Sequence, residues 1–546
     1  MCNHLKLHTL NKLVKKHLLL ILIVLVIAIT LVQCAKRGQP TGGPVDETPP
    51  VILRAYPDNY TRNFKNQIIE IQFDEFVKLK DLQKQLVISP PLKTRPIITP
   101  QGSPAKKITI QITDTLKDNT TYVLNFGQSI VDHNEENPYP FYKYVFSTGK
   151  VIDSLTLKGE ITDALQFEAE EFVNVLLYEI NEAYTDSIIY KESPRYVLNT
   201  LDSLTTFTME NLKEGTYKMV ALKEENSDLR FDPLRDKMGF VSETIKVPSD
   251  EVYELKMYQQ ELDPSIKKIT QEAQSRLYVG YTGNVDYLKI TSVDKSVIAQ
   301  SRLTQLDKTD SLQYWYRPAL KQDSLMLSTV LNEEVQEFNV RLKELKKDSL
   351  TLRKENDFSL RNPASFTAST PIEKMDTSFM KLIDKDSLQL SFTARLDRLK
   401  NRGFIDFERQ EEQKYNLRLF PGAVTDFYGE KNSDTLSYTF STLKSTQLGN
   451  FSITLKGGSS FPVIIQVTKK DLSVEAEVVA NENGTYDIFY LTPGEYYIRV
   501  IYDTNANGKY DPGNFLKGIQ PEEVVYNPEL IKLQANWDRK YTLNLK

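Results

Sequence analysis

Two stretches of the chain, "LKEGTYKMVALKEENSDLRFDP" at 212 to 233 and "LTPGEYYIRVIYDTNANGKYDP" at 491 to 512, align without a gap. Leu212 falls on Leu491, Gly215 on Gly494, Tyr217 on Tyr496, Asn226 on Asn505, and Asp232-Pro233 on Asp511-Pro512. One structural unit therefore occurs twice, and a fold proposed for one copy has to suit both. Strand patterning says what kind of unit it is. "IIEIQF" sets Ile69, Ile71 and Phe73 against Glu70 and Gln72. "KITIQIT", "LQLSFTARL" and "YYIRVIY" alternate in the same way between clusters of Asp, Asn, Gly and Pro. Period-two alternation at short spacing, bounded by turn residues, is the pattern of antiparallel sandwiches. Helical periodicity is scarce. The segment 332 to 356, "NEEVQEFNVRLKELKKDSLTLRKEN", carries charges that suit a solvated helix face, and "FNVRLKEL" within it equally suits a strand.

A weaker pair joins "TYVLNFGQSIVDHNEENPYPFYKYVFST" (121 to 148) to "KYNLRLFPGAVTDFYGEKNSDTLSYTFST" (414 to 442). Both run strand, turn with an Asp (Asp132, Asp426), and strand ending Phe-Ser-Thr. The motifs "DETPPVILRAYPDN", "FDEFV", "ISPPL", "TTYVLNFG" and "FSTG", in that order, resemble the bacterial Ig-like domains of S-layer proteins and Bacteroidetes lipoproteins. The two copies of the L-x-x-G-x-Y turn resemble transthyretin-like or carboxypeptidase-regulatory-like sandwiches. The expected fold is all-β: tandem antiparallel β-sandwich domains, Ig-like and prealbumin-like, after an N-terminal lipoprotein signal. The domain map runs 1–33 signal peptide, 34–47 flexible tether, 48–150 Ig-like, 151–258 transthyretin-like, 262–354 a degenerate β-domain, 355–445 a second Ig-like domain, and 446–546 a second transthyretin-like sandwich.

The first 33 residues carry Lys6, Lys12, Lys15 and Lys16, no acid, and the apolar run "LLLILIVLVIAITLV". This run is short for the ~20 residues that span a bilayer and fits a signal h-region. "LVQC" resembles the lipobox of bacterial lipoproteins, which implies lipidation of Cys34; the competing reading is an uncleaved anchor. With Cys2 in the leader, no intramolecular disulfide is available to the exported chain. The whole chain is net −5, and loss of the four leader lysines leaves −9, a balance that repels nucleic acid.

The loop "YDTNANGKYDPG" reads as a calcium loop. Asp503, Asn505 and Asn507 occupy positions 1, 3 and 5, Gly508 position 6, the Lys509 carbonyl position 7 and Asp511 position 9. Asn514 stands where a bidentate Glu is expected, so affinity should fall to about 10⁻⁴ to 10⁻³ M. The other reading is an Asx-rich turn bonding its own backbone. The first copy offers Glu224, Asn226, Asp228 and Asp232, with Leu229 in place of the glycine, and is the weaker candidate. Any Ca²⁺ here is expected to be structural, and no other cofactor is indicated.

No catalytic constellation is visible. Of four histidines, His4, His8 and His17 are in the leader, leaving His133, which reads as a turn residue beside Asp132. No phosphate-binding glycine motif occurs. "YWYRP" clusters Tyr314, Trp315 and Tyr316: exposed, they would stack on sugar rings; in a strand, Trp315 is expected in a core. The expected role is a non-enzymatic, lipid-anchored envelope protein of the outer membrane, its face undecided. It would act as a protein-binding or assembly component whose partners are envelope or outer-membrane proteins. The alternative is a glycan-binding or adhesive surface lipoprotein.

Overall fold

The computed structural model describes residues 46–201, 205–306, 309 and 311–546. The segment read as a signal peptide, Cys34 and all but the end of the expected tether lie outside the described residues. Those described are strands and turns almost throughout; one four-residue helix, Leu82–Gln85, and three short 3-10 turns are the helical elements among them. No helix among them is long and apolar enough to cross a membrane. Strand pairing falls into five successive β-units, at 52–147, 155–259, 265–341, 352–441 and 449–544.

In unit one, Ile52–Tyr56, Ile68–Leu79, Ala105–Gln111 and Ile97–Thr99 form one sheet in that order, with Ile130–Asp132 paired to the far end of the long strand. Val87–Ser89, Thr121–Asn125 and Lys143–Ser147 form the other. Ile69, Ile71 and Phe73 are buried, as the alternation requires, and share a core with Ile108, Leu124 and Phe126. Unit four repeats this order with Leu352–Lys354, Ala364–Ala368, Arg402–Asp406 and Thr393–Asp397. Its long strand is broken in two, Ile372–Met375 taking Val424–Asp426 as Ile68–Leu79 takes Ile130–Asp132. One boundary is corrected: Leu352–Lys354, expected at the end of the third domain, pairs with Ala364–Ala368 and is an edge strand of the fourth. The ambiguous charged segment contributes Glu334–Arg341, a strand paired with Ser324–Leu331, and no helix.

The two turn aspartates do the same work. Asp132, 2% exposed, accepts four backbone N–H groups, from Asn134, Glu135, Glu136 and Asn137. Asp426 accepts those of Tyr428 and Glu430 and the Thr370 hydroxyl. Burial works against the charge of Asp132; the N–H groups outweigh it and hold its carboxyl below the usual range. Asp132→Ala is expected to cost about 2–3 kcal/mol in urea unfolding, because the freed N–H groups are left unpaired. Since the folded pKa is the lower one, the stability Asp132 contributes is present above the unfolded value of about 3.9 and is lost as pH falls through the folded one. The wild type should therefore lose more stability on acidification than Asp132→Ala.

Units two and five share one plan. Gly215–Lys223 lies between Asn174–Glu179 and Lys237–Phe240 as Gly494–Tyr502 lies between Val463–Lys469 and Val524–Tyr526. The shared turn is held by its tyrosine: Tyr217 Oη donates to the Lys213 carbonyl at 3.0 Å and Tyr496 Oη to that of Thr492 at 2.7 Å. Each unit also contains one parallel pairing, Leu155–Asp163 with Val252–Gln259 and Gly449–Lys456 with Asp538–Asn544, which alternation alone does not reveal. Trp537 precedes the last of these strands and is half-buried against the unit-five core.

Candidate functional site

The strand Gly494–Tyr502 runs directly into the Asp503 loop. Asp503 is buried, its Oδ1 accepting from the Asn507 N–H at 3.0 Å and its Oδ2 from the Gly508 N–H at 2.8 Å. Ala506 and Gly508 hold positive φ, 58° and 75°, which curls the chain around this carboxylate. A Cβ on Gly508 would meet nothing within 4 Å, so the glycine serves conformation and not space. Asn505 and Asn507 both turn their Nδ2 groups to Asp511 Oδ2, and the Lys509 N–H donates to Asn507 Oδ1 at 2.8 Å. Every side chain expected to serve as a ligand is thus drawn into one loop, closed by its own hydrogen bonds.

In the first copy the backbone is the same and the side chains are not. Glu224 Oε2 takes the N–H groups of Asp228 and Leu229, the counterparts of Asn507 and Gly508. Ser227 and Leu229 hold φ of 55° and 58°, so a leucine is forced where its counterpart is glycine. The remaining candidates disperse. Asp228 caps the Arg230 N–H, Asp232 pairs with Arg235 at 2.9 Å, and Asn226 is exposed.

Two residues missed in the sequence pin both loops. Glu522, 7% exposed, accepts from the Thr504 N–H and hydroxyl and from the Asp511 N–H. Asp236, 1% exposed, accepts from the N–H groups of Glu225 and Asp232, which are the aligned positions. The connection between the two anchored ends and the acid differs in length between copies, so no ungapped alignment brings Glu522 onto Asp236. Burial pushes the Asp236 carboxyl above its usual value, and the two N–H groups only partly offset this. Among the described residues no three His, Cys, Asp or Glu side chains are grouped closely enough to hold a metal ion.

The Asp503 loop lies at a seam between the repeated units. Tyr510, within it, and Phe515, just beyond it, pack into the cluster of Tyr178, Val220, Met238, Phe240 and Tyr258 on unit two. Phe515 meets Phe240 edge-on at 5.2 Å, and Gln520 Nε2 donates to the Phe240 carbonyl at 2.9 Å and Ser242 Oγ at 3.0 Å. Arg499 Nη1 and Tyr526 Oη both donate to the Leu165 carbonyl. Lys218 lies beside both phenylalanine rings and donates to the Ser242 carbonyl; its burial pushes the ammonium below the ordinary lysine value. Contacts of Lys509 with Asp286, Trp315 with Tyr428, and Arg361 with the Glu475 carbonyl link the other neighbours. Units three, four and five therefore close a circuit of contacts, and unit two docks on unit five.

The aromatic cluster is not a sugar platform: Tyr314, Trp315 and Tyr316 are all at most 1% exposed. The tyrosines fill the unit-three core, while Trp315, on the other face of the strand, meets Tyr428 of unit four. His133 is exposed beside the Asp132 turn.

Residues 46–148 match the family model described as a bacterial Ig-like domain, and this span is unit one. No curated protein matches the chain. Among solved structures, the Bacillus anthracis TIE protein is similar over 93% of this chain and 76% of its own, at 11% identity and a TM-score of 0.14. The S-layer protein rSbsC is similar over 88% and 66%, at 9% identity and a TM-score of 0.13. The T6 backbone pilin of Streptococcus pyogenes is similar over 69% and 81%, at 11% identity and a TM-score of 0.12.

Proposed function

We propose that the chain is a lipid-anchored, non-catalytic envelope protein that acts as a protein-binding or assembly component, an accessory subunit of an outer-membrane complex. The observation that carries this reading is the docking of unit five on unit two. It ties units two and five together, while the bacterial Ig-like unit packs on unit two through the Lys143–Glu210 ion pair and the Val197 N–H to Ser89 Oγ bond, with an open cleft beside that contact where a partner could enter. Burial of Tyr314, Trp315 and Tyr316 removes the aromatic surface on which the glycan-binding alternative was founded. The test is a pull-down of the lipidated chain from gently solubilised envelopes, with partners identified by mass spectrometry. A stoichiometric envelope protein supports the reading; recovery of none, alongside retention on a carbohydrate array, overturns it.

A structural Ca²⁺ on the Asp503 loop is a narrower proposal, supported by the gathering of Asp503, Asn505, Asn507 and Asp511 in one loop; the two amides would turn their oxygens to the ion in place of the Nδ2 groups that now meet Asp511. Asp503, Asn505, Asn507, the Lys509 carbonyl and Asp511 would hold it, as an oxygen donor set suited to a hard cation. Calcium titrated through about 10⁻³ M is expected to raise the Tm of the wild type and not of Asp503→Asn. An unchanged wild-type Tm would leave the loop as a self-capped turn.

A further inference from the structure

Units one and two enclose a cleft of about 680 Å³ whose charge is opposite to that of the chain. Five cations line it, Lys84, Lys93, Arg95, Lys223 and Arg230, against two carboxylates, Glu224 and Asp228. The chain as a whole is net −5. Among the described residues none of the five cations has an ion-pair partner, although other lysines and arginines form salt bridges along the whole chain. Glu224 is committed inward, accepting from Asn174 Nδ2 and the Asp228 and Leu229 N–H groups, and Asp228, which is exposed, accepts from the Arg230 N–H. The cleft therefore presents positive charge to whatever enters it.

The walls indicate the kind of anion. Leu86, Val87, Leu92 and Val197 supply apolar surface between the charges. Val87–Ser89 and Tyr196–Asn199 are each edge strands, paired on one side only, and they approach each other through a Val197 N–H to Ser89 Oγ bond of 3.1 Å. These two edges cover each other, and cations flanking an apolar floor suit an extended peptide, which places alternate side chains on alternate faces. A sugar chain would need aromatic platforms, and Phe172, the aromatic residue lining the cleft, has Lys84 Nζ 3.6 Å and Lys223 Nζ 6.0 Å from its ring centre.

We propose that this cleft binds an extended acidic segment of a partner protein, its carboxylates meeting Lys93, Arg95 and Arg230 and its alternate apolar side chains meeting the Leu86–Val197 wall. The proposal rests on the protein-binding reading above and names the chemistry of its partner. The test is fluorescence anisotropy of the full chain in detergent with a short fluorescein-labelled peptide alternating Glu and Val. Binding is expected, weakening as salt is raised. The charge reversal Lys93→Glu/Arg95→Glu/Arg230→Glu should lower the affinity by about tenfold or more. These side chains are exposed, so the variant should keep the wild-type Tm, and the charge-conserving Lys93→Arg/Arg95→Lys/Arg230→Lys should keep the affinity. Equal binding by the charge-reversed variant, or binding of polygalacturonate without binding of the peptide, overturns the assignment. A pull-down partner recovered equally by wild type and charge-reversed variant would remove the cleft and keep the protein-binding reading; recovery of no protein partner removes the reading itself.

Discussion

Trp315→Ala is expected to destabilise the chain by about 3–5 kcal/mol and to loosen the contact of unit three with unit four. The side chain is fully buried, its Nε1–H donating to Thr304 Oγ1 at 2.8 Å and its ring lying 6.4 Å from Tyr428. The Arg276 guanidinium sits 5.2 Å from the same ring and pairs with Asp348 at 3.2 Å. Truncation therefore opens a cavity at the seam and leaves a guanidinium without its aromatic face. Tyr428 Oη still reaches the Ser275 carbonyl, and Arg317 the carbonyl of Phe427, so the units would be loosened and not driven apart. Urea unfolding followed by hydrogen exchange should show Ser311–Arg317 and Val424–Asp426 losing protection together. Tyr316→Ala, on the opposite face of the strand, should expose unit three alone.

The second large effect is expected at the other seam. Phe515→Ala removes a ring that is 2% exposed and should cost about 3–5 kcal/mol of the docking between units five and two. Gly513→Leu attacks the same contact by overpacking. A Cβ there would come within 2.6 Å of Tyr258 Cζ and 2.8 Å of the Ile519 carbonyl, so backbone must move, at a cost of about 1–3 kcal/mol or more. Both variants should leave each unit's own core folded and split thermal unfolding into separate transitions. A single transition shifted by less than a degree would mean that the seam holds nothing together.

The repeat was legible because its constraints are local. The L-x-x-G-x-Y turn and the alternation of "IIEIQF" are each written within a few residues, and each takes the form expected of it. Asp132 and Asp426 were legible as turn residues, though not as buried carboxylates closing whole turns. What escaped depends on neighbours far along the chain. Glu522 and Asp236 fill one role at different distances from their loops, so no spacing rule finds both. Trp315 reads as a core residue in the sequence; that its core is shared with unit four depends on Tyr428, more than a hundred residues on. Phe515 and Gln520 look like ordinary loop residues, and only the arrangement of units two and five turns them into a contact surface.

The docking of unit five on unit two is tested most directly by cross-linking. A chain beginning at residue 46 contains no cysteine. Ser242→Cys and Gln520→Cys place one thiol on each side of a 3.0 Å hydrogen bond. Treated with a short bis-maleimide, this chain is expected to give a monomeric, internally linked product in high yield, independent of protein concentration. Gly513→Leu in the same background should abolish it. Free monomer, or linked dimers whose yield rises with concentration, would contradict this docking.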